Sequence, residues 1–223
     1  MDGTESHLGG ALDELAADPS SRKRFLRMAG GGAVAAGLAA VLAACGEEER
    51  TTGNQVGGAG VGTAQFGQGD AGIVAYALFL ERLEVAFYEE ALASGRLKGR
   101  GLELAKRFHA DEQSHAKSLE GALQQLGGKE PAEPTFAFAL ENEQGILVQA
   151  QQLETVGAGA YLGQVARIRD KKILAVALSI HSVEARHAAA LAQLLGRPIA
   201  PDGPFANPSP SSDVIRQTTP FLT

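Results

Sequence analysis

The chain has 223 residues, 20 Lys+Arg against 26 Asp+Glu for a formal net charge of -6, and a single Cys. That length suits one core with appendages, the acidic balance argues against a protein that tracks phosphates, and one Cys excludes both an intramolecular disulfide and a thiolate metal cage. Aromatics make up 5%, Trp is absent, and Ala and Gly dominate the apolar fraction, which suits closely packed helices rather than a β-sandwich.

Residues 1–44 read as an export signal rather than as part of the fold, with a polar leader, a basic cluster and an apolar run. The cluster SRKRFLR, Ser21 to Arg27, resembles the twin-arginine export signal, with Arg22 and Lys23 where two arginines usually stand. Met28 to Ala44 holds four glycines in 17 residues, too short and too weakly apolar for a membrane span. It ends in Leu42-Ala43-Ala44-Cys45, which resembles the lipobox of bacterial lipoproteins. Lipidation of Cys45 would hold the chain on a membrane without spanning it; the other reading is a buried Cys in an uncleaved anchor helix. The expected location is an exported membrane lipoprotein facing the periplasm or cell exterior. Residues 45–69 are rich in Gly, Thr and Gln and predict a flexible tether with a reach of roughly 25 to 30 Å.

From residue 70 to 196 the pattern is helical throughout, with apolar residues recurring at three and four and prolines only at 131 and 134. The first helix is expected from an N-cap at Asp70 to about Ser94, and the second from about Gly101 to Leu126, stopped by Gly127 and Gly128. The third runs from about Asn142 to Arg167, and the fourth from an N-cap at Asp170 to Leu195, before Gly196 and Pro198. Residues 127–141 lie between two such hairpins and are long enough to cross the full length of a helix. Residues 197–223 form a tail with six of the nine prolines, expected to pack along the bundle.

The two hairpins repeat each other chemically. Glu81 and Tyr88 recur as Glu154 and Tyr161 at a shift of 73, and His109, Glu112 and His115 recur as His181, Glu184 and His187 at a shift of 72. Of the five histidines, only His7 falls outside these segments. Glu112 with His115, and Glu184 with His187, share a helix face and can chelate. Glu81 lies in an apolar stripe of Val74, Ala77, Leu78, Val85 and Tyr88, and Glu154 in one of Leu147, Ala150, Ala158 and Tyr161, with Gly157 leaving room beside it. Both are predicted to be buried. All four Glu lie near the middle of their helices, so an antiparallel bundle brings them to one height. Four carboxylates are neutralised by two divalent cations, and carboxylate with imidazole suits iron or manganese.

With these residues in place, the chain resembles the ferritin-like di-metal carboxylate proteins, such as rubrerythrin and bacterioferritin, whose ligand set is one Glu from each of two helices and Glu-x-x-His from each of the others. LERLEVAFYEEAL and LETVGAGAYLG also resemble the exported ferritin-like domains of the desiccation-related type. The resemblance implies an all-α, ferritin-like antiparallel four-helix bundle with a long crossover between helices 2 and 3. It implies a metal site of Glu81, Glu112, His115, Glu154, Glu184 and His187 for two iron or manganese ions, with Glu112 and Glu184 bridging or chelating. Tyr88 and Tyr161 would hydrogen-bond ligand carboxylates, though plain core packing accounts for them as well. His109 and His181 depart from the common pattern and read either as supporting or extra ligands or as satisfied core histidines. Glu84, one turn from Glu81, could swing in toward the site, although a solvated or inter-helix role is expected of it.

Two functions follow from the resemblance: redox chemistry with dioxygen or peroxide, of oxidase, peroxidase or catalase type, or a non-catalytic stress or structural module in the cell envelope. An electron donor would be another molecule, the membrane would be met through Cys45, no nucleic acid is expected, and self-association is left open.

Overall fold

Five α-helices form where apolar residues recur at helical spacing, in a computed structural model that describes residues 63–223. The twin-arginine-like segment, Cys45 and all but the end of the tether lie outside the described residues. The helices are α1 (Gly69–Ala93), α2 (Gly99–Gln125), α3 (Glu143–Gln164), α4 (Lys171–Leu194) and α5 (Ser211–Thr218). The first four follow the sequence prediction closely, and Gly95, Gly127 and Gly196 end three of them at φ of 65°, 63° and 67°.

The cap expected at Asp170 is present, its side chain accepting from the Lys172 N–H at 2.7 Å, and Asn142, expected near the start of α3, caps that helix by accepting from the Gly145 N–H at 2.9 Å. Asp70 is different. It lies inside α1, whose N-cap is Gln68, and its carboxylate accepts from the backbone N–H groups of Arg169 at 3.0 Å and Asp170 at 2.6 Å. The acid expected to cap its own helix instead ties the start of α1 to the turn between α3 and α4.

That contact also fixes the topology. Gly128, just after α2, packs against Ala71 near the start of α1, while Glu143 at the start of α3 accepts from the Lys98 N–H at the turn after α1. The chain between α2 and α3 therefore travels the length of α1, and α1 runs antiparallel to both α2 and α3. Arg82 of α1 holds this crossover through Glu130 at 2.6 Å and the Pro131 carbonyl at 3.4 Å, and Phe136 and Phe138 rest on Phe79 and Phe87. Covered on several sides, α1 is apolar almost all round, with Gly72 through Leu80 continuously buried. α2 packs in the ordinary amphipathic way and buries Leu104, Phe108, Glu112, Ala116, Leu119 and Leu123.

The tail packs on the bundle. In α5, Val214 and Ile215 close a cluster with Tyr76, Phe79 and Leu80 of α1, and the last residues pair antiparallel with the crossover through Phe136 and Leu222. Among the described residues no helix is long and apolar enough to cross a membrane.

Candidate metal centre

Glu81 is the thirteenth of the 25 residues of α1 and Glu112 the fourteenth of the 27 of α2. Glu154 is the twelfth of the 22 of α3, and Glu184 the fourteenth of the 24 of α4. Mid-helix placement on four antiparallel rods puts them at one level, and all four are 0% exposed. Their side chains form two overlapping nests: Glu81, Glu112, His115 and Glu184 in one, and Glu112, Glu154, Glu184 and His187 in the other. In each, one nitrogen or oxygen from every residue lies within 4.8 Å of the rest, and Glu112 and Glu184 serve both.

The side-chain atoms lie close enough together to share a cation. His115 Nδ1 lies 2.8 Å from Glu112 Oε2, 3.1 Å from Glu184 Oε1 and 3.3 Å from Glu81 Oε2. His187 Nδ1 lies 3.0 Å from Glu112 Oε1 and 3.1 Å from Glu154 Oε2. One N–H cannot serve three oxygens, and oxygens of Glu81, Glu112 and Glu184 are left buried without a hydrogen-bond partner. Neighbouring ligands on a cation with bonds of about 2.1 Å are separated by roughly 3.0 Å in an octahedron and 3.4 Å in a tetrahedron. This buried carboxylate and histidine cluster can bind a metal ion.

The protonation pattern supports the same reading. Burial raises the Glu81 carboxyl to about 8 despite its contact with His115. Burial and neighbouring carboxylates push Glu84 and Glu184 well above the ordinary carboxylate range, and burial raises Glu154. Glu112 goes the other way: burial opposes its ionisation, but the contacts with His115 and His187 outweigh burial and bring it to about 2. Burial likewise opposes imidazolium, yet the surrounding carboxylates raise His115 to about 12 and His187 to about 9. Protons thus supply the positive charge that the cluster demands.

Tyr161 donates to Glu81 Oε1, and Tyr88 donates to Glu154 Oε1 at 2.5 Å, each reaching across to the partner hairpin. Burial and the adjacent carboxylates push both phenols well above their usual range, so they remain donors at neutral pH. His181 and His109 do not join either nest. His181 Nδ1 sits 2.9 Å from the Ala158 carbonyl, while His109 Nε2 is buried without a hydrogen-bond partner.

Two residues belong to the neighbourhood that the sequence reading placed elsewhere or passed over. Glu84, expected in a solvated or inter-helix role, is buried against the cluster because Gly157 opposite leaves it room. Asp111, which no pattern singled out, places Oδ2 3.4 Å from His187 Nε2, the nitrogen facing away from the nest. Its signal was only adjacency to Glu112, and its partner lies on another helix.

A family model described as a ferritin-like domain matches residues 69–197. The chain belongs to the ferritin-like domain family. Among solved structures, the ferritin-like chain is similar to a conserved hypothetical protein from Mycobacterium tuberculosis, at 18% identity and a TM-score of 0.50, over 56% of this chain and 96% of that one. That likeness concerns the fold alone. No curated protein matches the chain. Within the ferritin-like domain, the matched residues span α1 to α4 and so contain every member of both nests.

Proposed function

We propose that this ferritin-like domain holds two iron or manganese ions, one in each nest, and performs redox chemistry with dioxygen or peroxide on an exported chain anchored to a membrane through Cys45. The observation that carries the reading is the pair of overlapping nests, with fully buried carboxylate oxygens that no hydrogen bond satisfies. Glu112 and Glu184 would offer oxygens to both ions, Glu81 and His115 to one, and Glu154 and His187 to the other. Carboxylate and imidazole without thiolate suit iron and manganese. When bound, the ions would supply a redox couple and a Lewis acid for the oxidant.

The chain's own residues orient and protect that site. Tyr161 and Tyr88 donate to Glu81 and Glu154, leaving each carboxylate's other oxygen for the nest. Phe108 stacks on His187 at 3.8 Å between ring centroids and restricts the imidazole. Asp111, one quarter exposed, lies 3.4 Å from the outer nitrogen of His187 and links the buried ring to the surface of the bundle. With one Cys in the chain, an electron donor would be a separate molecule. The anchor and the location outside the cytoplasm are supported by the export-like segment and the lipobox at Cys45.

Elemental analysis of the full chain after growth with iron or manganese tests the centre. Wild type should retain close to two ions per chain and melt lower after chelation, and Glu112→Ala and Glu184→Ala should retain fewer. A wild-type content near zero, with both variants at least as stable, ends the reading. Retained metal with no turnover of dioxygen or peroxide would instead assign the centre to a non-catalytic envelope module. In the same preparations, Cys45→Ser should move the chain out of the membrane fraction; continued sedimentation with membranes removes the lipid anchor from the proposal.

A further inference from the structure

The turn between α3 and α4 places four basic residues in six positions, Arg167, Arg169, Lys171 and Lys172, in a chain whose net charge is -6. All four are exposed, as is Lys129 just after α2. Gly128 packs against Ala71, and Asp70 accepts from the Arg169 and Asp170 N–H groups, so both segments lie at the end of the bundle where α1 starts. The acids at this end turn toward the backbone: Asp70 holds those two amides, and Asp170 holds the amides of Lys172 and Ile173. Ion pairs among the described residues engage Arg82, Arg100, Arg107 and Arg216, and leave Arg169, Lys171 and Lys172 facing water. At the opposite end, Arg100 pairs with Glu103 at 3.1 Å, and Glu141 and Glu143 stand beside Arg96 and Lys98.

The basic end is also the one nearest the expected anchor. The described chain enters at Thr63–Phe66, and Phe66 lies 5.6 Å from Tyr76 and 5.4 Å from Phe79 between ring centroids, in the first half of α1. Thr63 follows Cys45 by 18 residues, a typical reach of about 23 Å for a flexible tether, whereas the 25 residues of α1 span about 37 Å. An anchor at Cys45 therefore brings the α1-start end to the membrane more readily than the other.

We propose that the turn between α3 and α4 is a docking surface for the anionic phospholipid headgroups of the membrane that holds Cys45, so that the bundle stands with its α1-start end on the bilayer. The inference rests on the lipid-anchor reading above. Arg and Lys pair with phosphate oxygens through charge-assisted hydrogen bonds. Each basic residue near a leaflet rich in anionic lipid strengthens attachment by about fivefold. Because the anchor already supplies proximity, this attraction acts within one tethered chain. It reaches only about 8 Å at physiological salt, so it selects the end that carries the charge.

The test uses the chain purified from the membrane fraction and reconstituted into vesicles whose headgroups carry a quencher. A dye is placed on Ala166→Cys in the turn or on Gln193→Cys near the far end of α4, both exposed positions. With phosphatidylglycerol, quenching at position 166 should exceed that at position 193 by about twofold or more. The difference should vanish with phosphatidylcholine and at about 1 M salt. It should vanish too in Arg169→Gln/Lys171→Gln/Lys172→Gln, and persist in Lys106→Gln/Lys117→Gln/Arg186→Gln, which removes the same charge elsewhere. Should the turn variant not fold, the lipid and salt arms carry the test. Equal quenching at the two positions in wild type, or an orientation that phosphatidylcholine supports as well, overturns the docking surface and leaves the anchor standing. A chain absent from the membrane fraction, or one whose Cys45 also takes up the dye, ends the anchor and this inference with it.

Discussion

Asp111 and Glu112 are adjacent in sequence, yet both reach the same histidine. Glu112 Oε1 lies 3.0 Å from His187 Nδ1 and Asp111 Oδ2 lies 3.4 Å from Nε2, so the ring is held through both nitrogens. Arg107 in turn pairs with Asp111 at 2.8 Å one turn earlier on α2. A carboxylate on the outer nitrogen of a ligating histidine fixes its tautomer and raises its basicity, and losing such a partner typically costs 10- to 100-fold in metal affinity, by the order of magnitude seen elsewhere. Asp111→Asn should therefore weaken the nest containing His187 by about tenfold or more while leaving the His115 nest intact. Titration with limiting Mn²⁺ should then show two unequal sites; two equal sites of wild-type strength would refute the link. The six nest residues were legible in the sequence because the repeat and the mid-helix spacing act along one chain segment at a time. Asp111 was not, since it depends on a ring from α4, and Glu84 was legible only as a carboxylate one turn from Glu81 that could swing in, because its burial depends on a side chain missing from α3.

At the level of elements, the tail depends on close approach. Ser209 donates its N–H to the Gly159 carbonyl at 2.9 Å, and its own carbonyl lies where a Cβ on Gly163 would fall. The two glycines, one turn apart on α3, let the tail backbone lie directly on the helix, after which Val214 and Ile215 of α5 reach the α1 cluster. Gly163→Ala must displace backbone rather than a flexible side-chain tip, an overpacking cost of about 1–3 kcal/mol. The melting temperature should drop by roughly 2–4 °C for each kcal/mol in a chain of this size. The segment after α4 should become a preferred site of limited proteolysis, with metal content unchanged because no nest residue belongs to the tail. An Ala variant with wild-type melting and protease resistance would show that the tail does not need this contact. Periodicity predicted α1 to α4 well, but it carried no information about α5, whose eight residues follow a proline-rich stretch and are recognisable as a helix mainly by what they cover. Asp70 failed as a cap for a related reason: its partners, 99 and 100 residues away, outcompete the local amides.

Across the whole molecule, the buried cluster couples folding to pH. His187 and His115, raised to about 9 and about 12, contribute stability that is fully present below the ordinary histidine value and is lost as pH rises through those folded-state values. Glu81, raised to about 8, holds its proton more tightly folded than unfolded, so its contribution also declines as pH climbs from the ordinary carboxylate range to about 8. Glu112, lowered to about 2, stabilises above the ordinary carboxylate value and loses that contribution only in acid. Between about pH 5 and pH 9 the first three act in the same direction, and the metal-free chain should become less stable as pH rises. Metal reverses the trend, because ligation requires those same protons to leave and affinity therefore grows with pH. At a hundredfold excess over its dissociation constant a bound ion adds about 2.7 kcal/mol, roughly 5–10 °C in melting temperature at this size. Thermal scans at about pH 5.5, 7 and 8.5, with chelator and with Mn²⁺, should therefore give two diverging curves: falling without metal, and separated from it by a gap that widens toward high pH. A metal-free curve that rises over this range would mean that the core carboxylates and imidazoles are not sharing protons as their distances require.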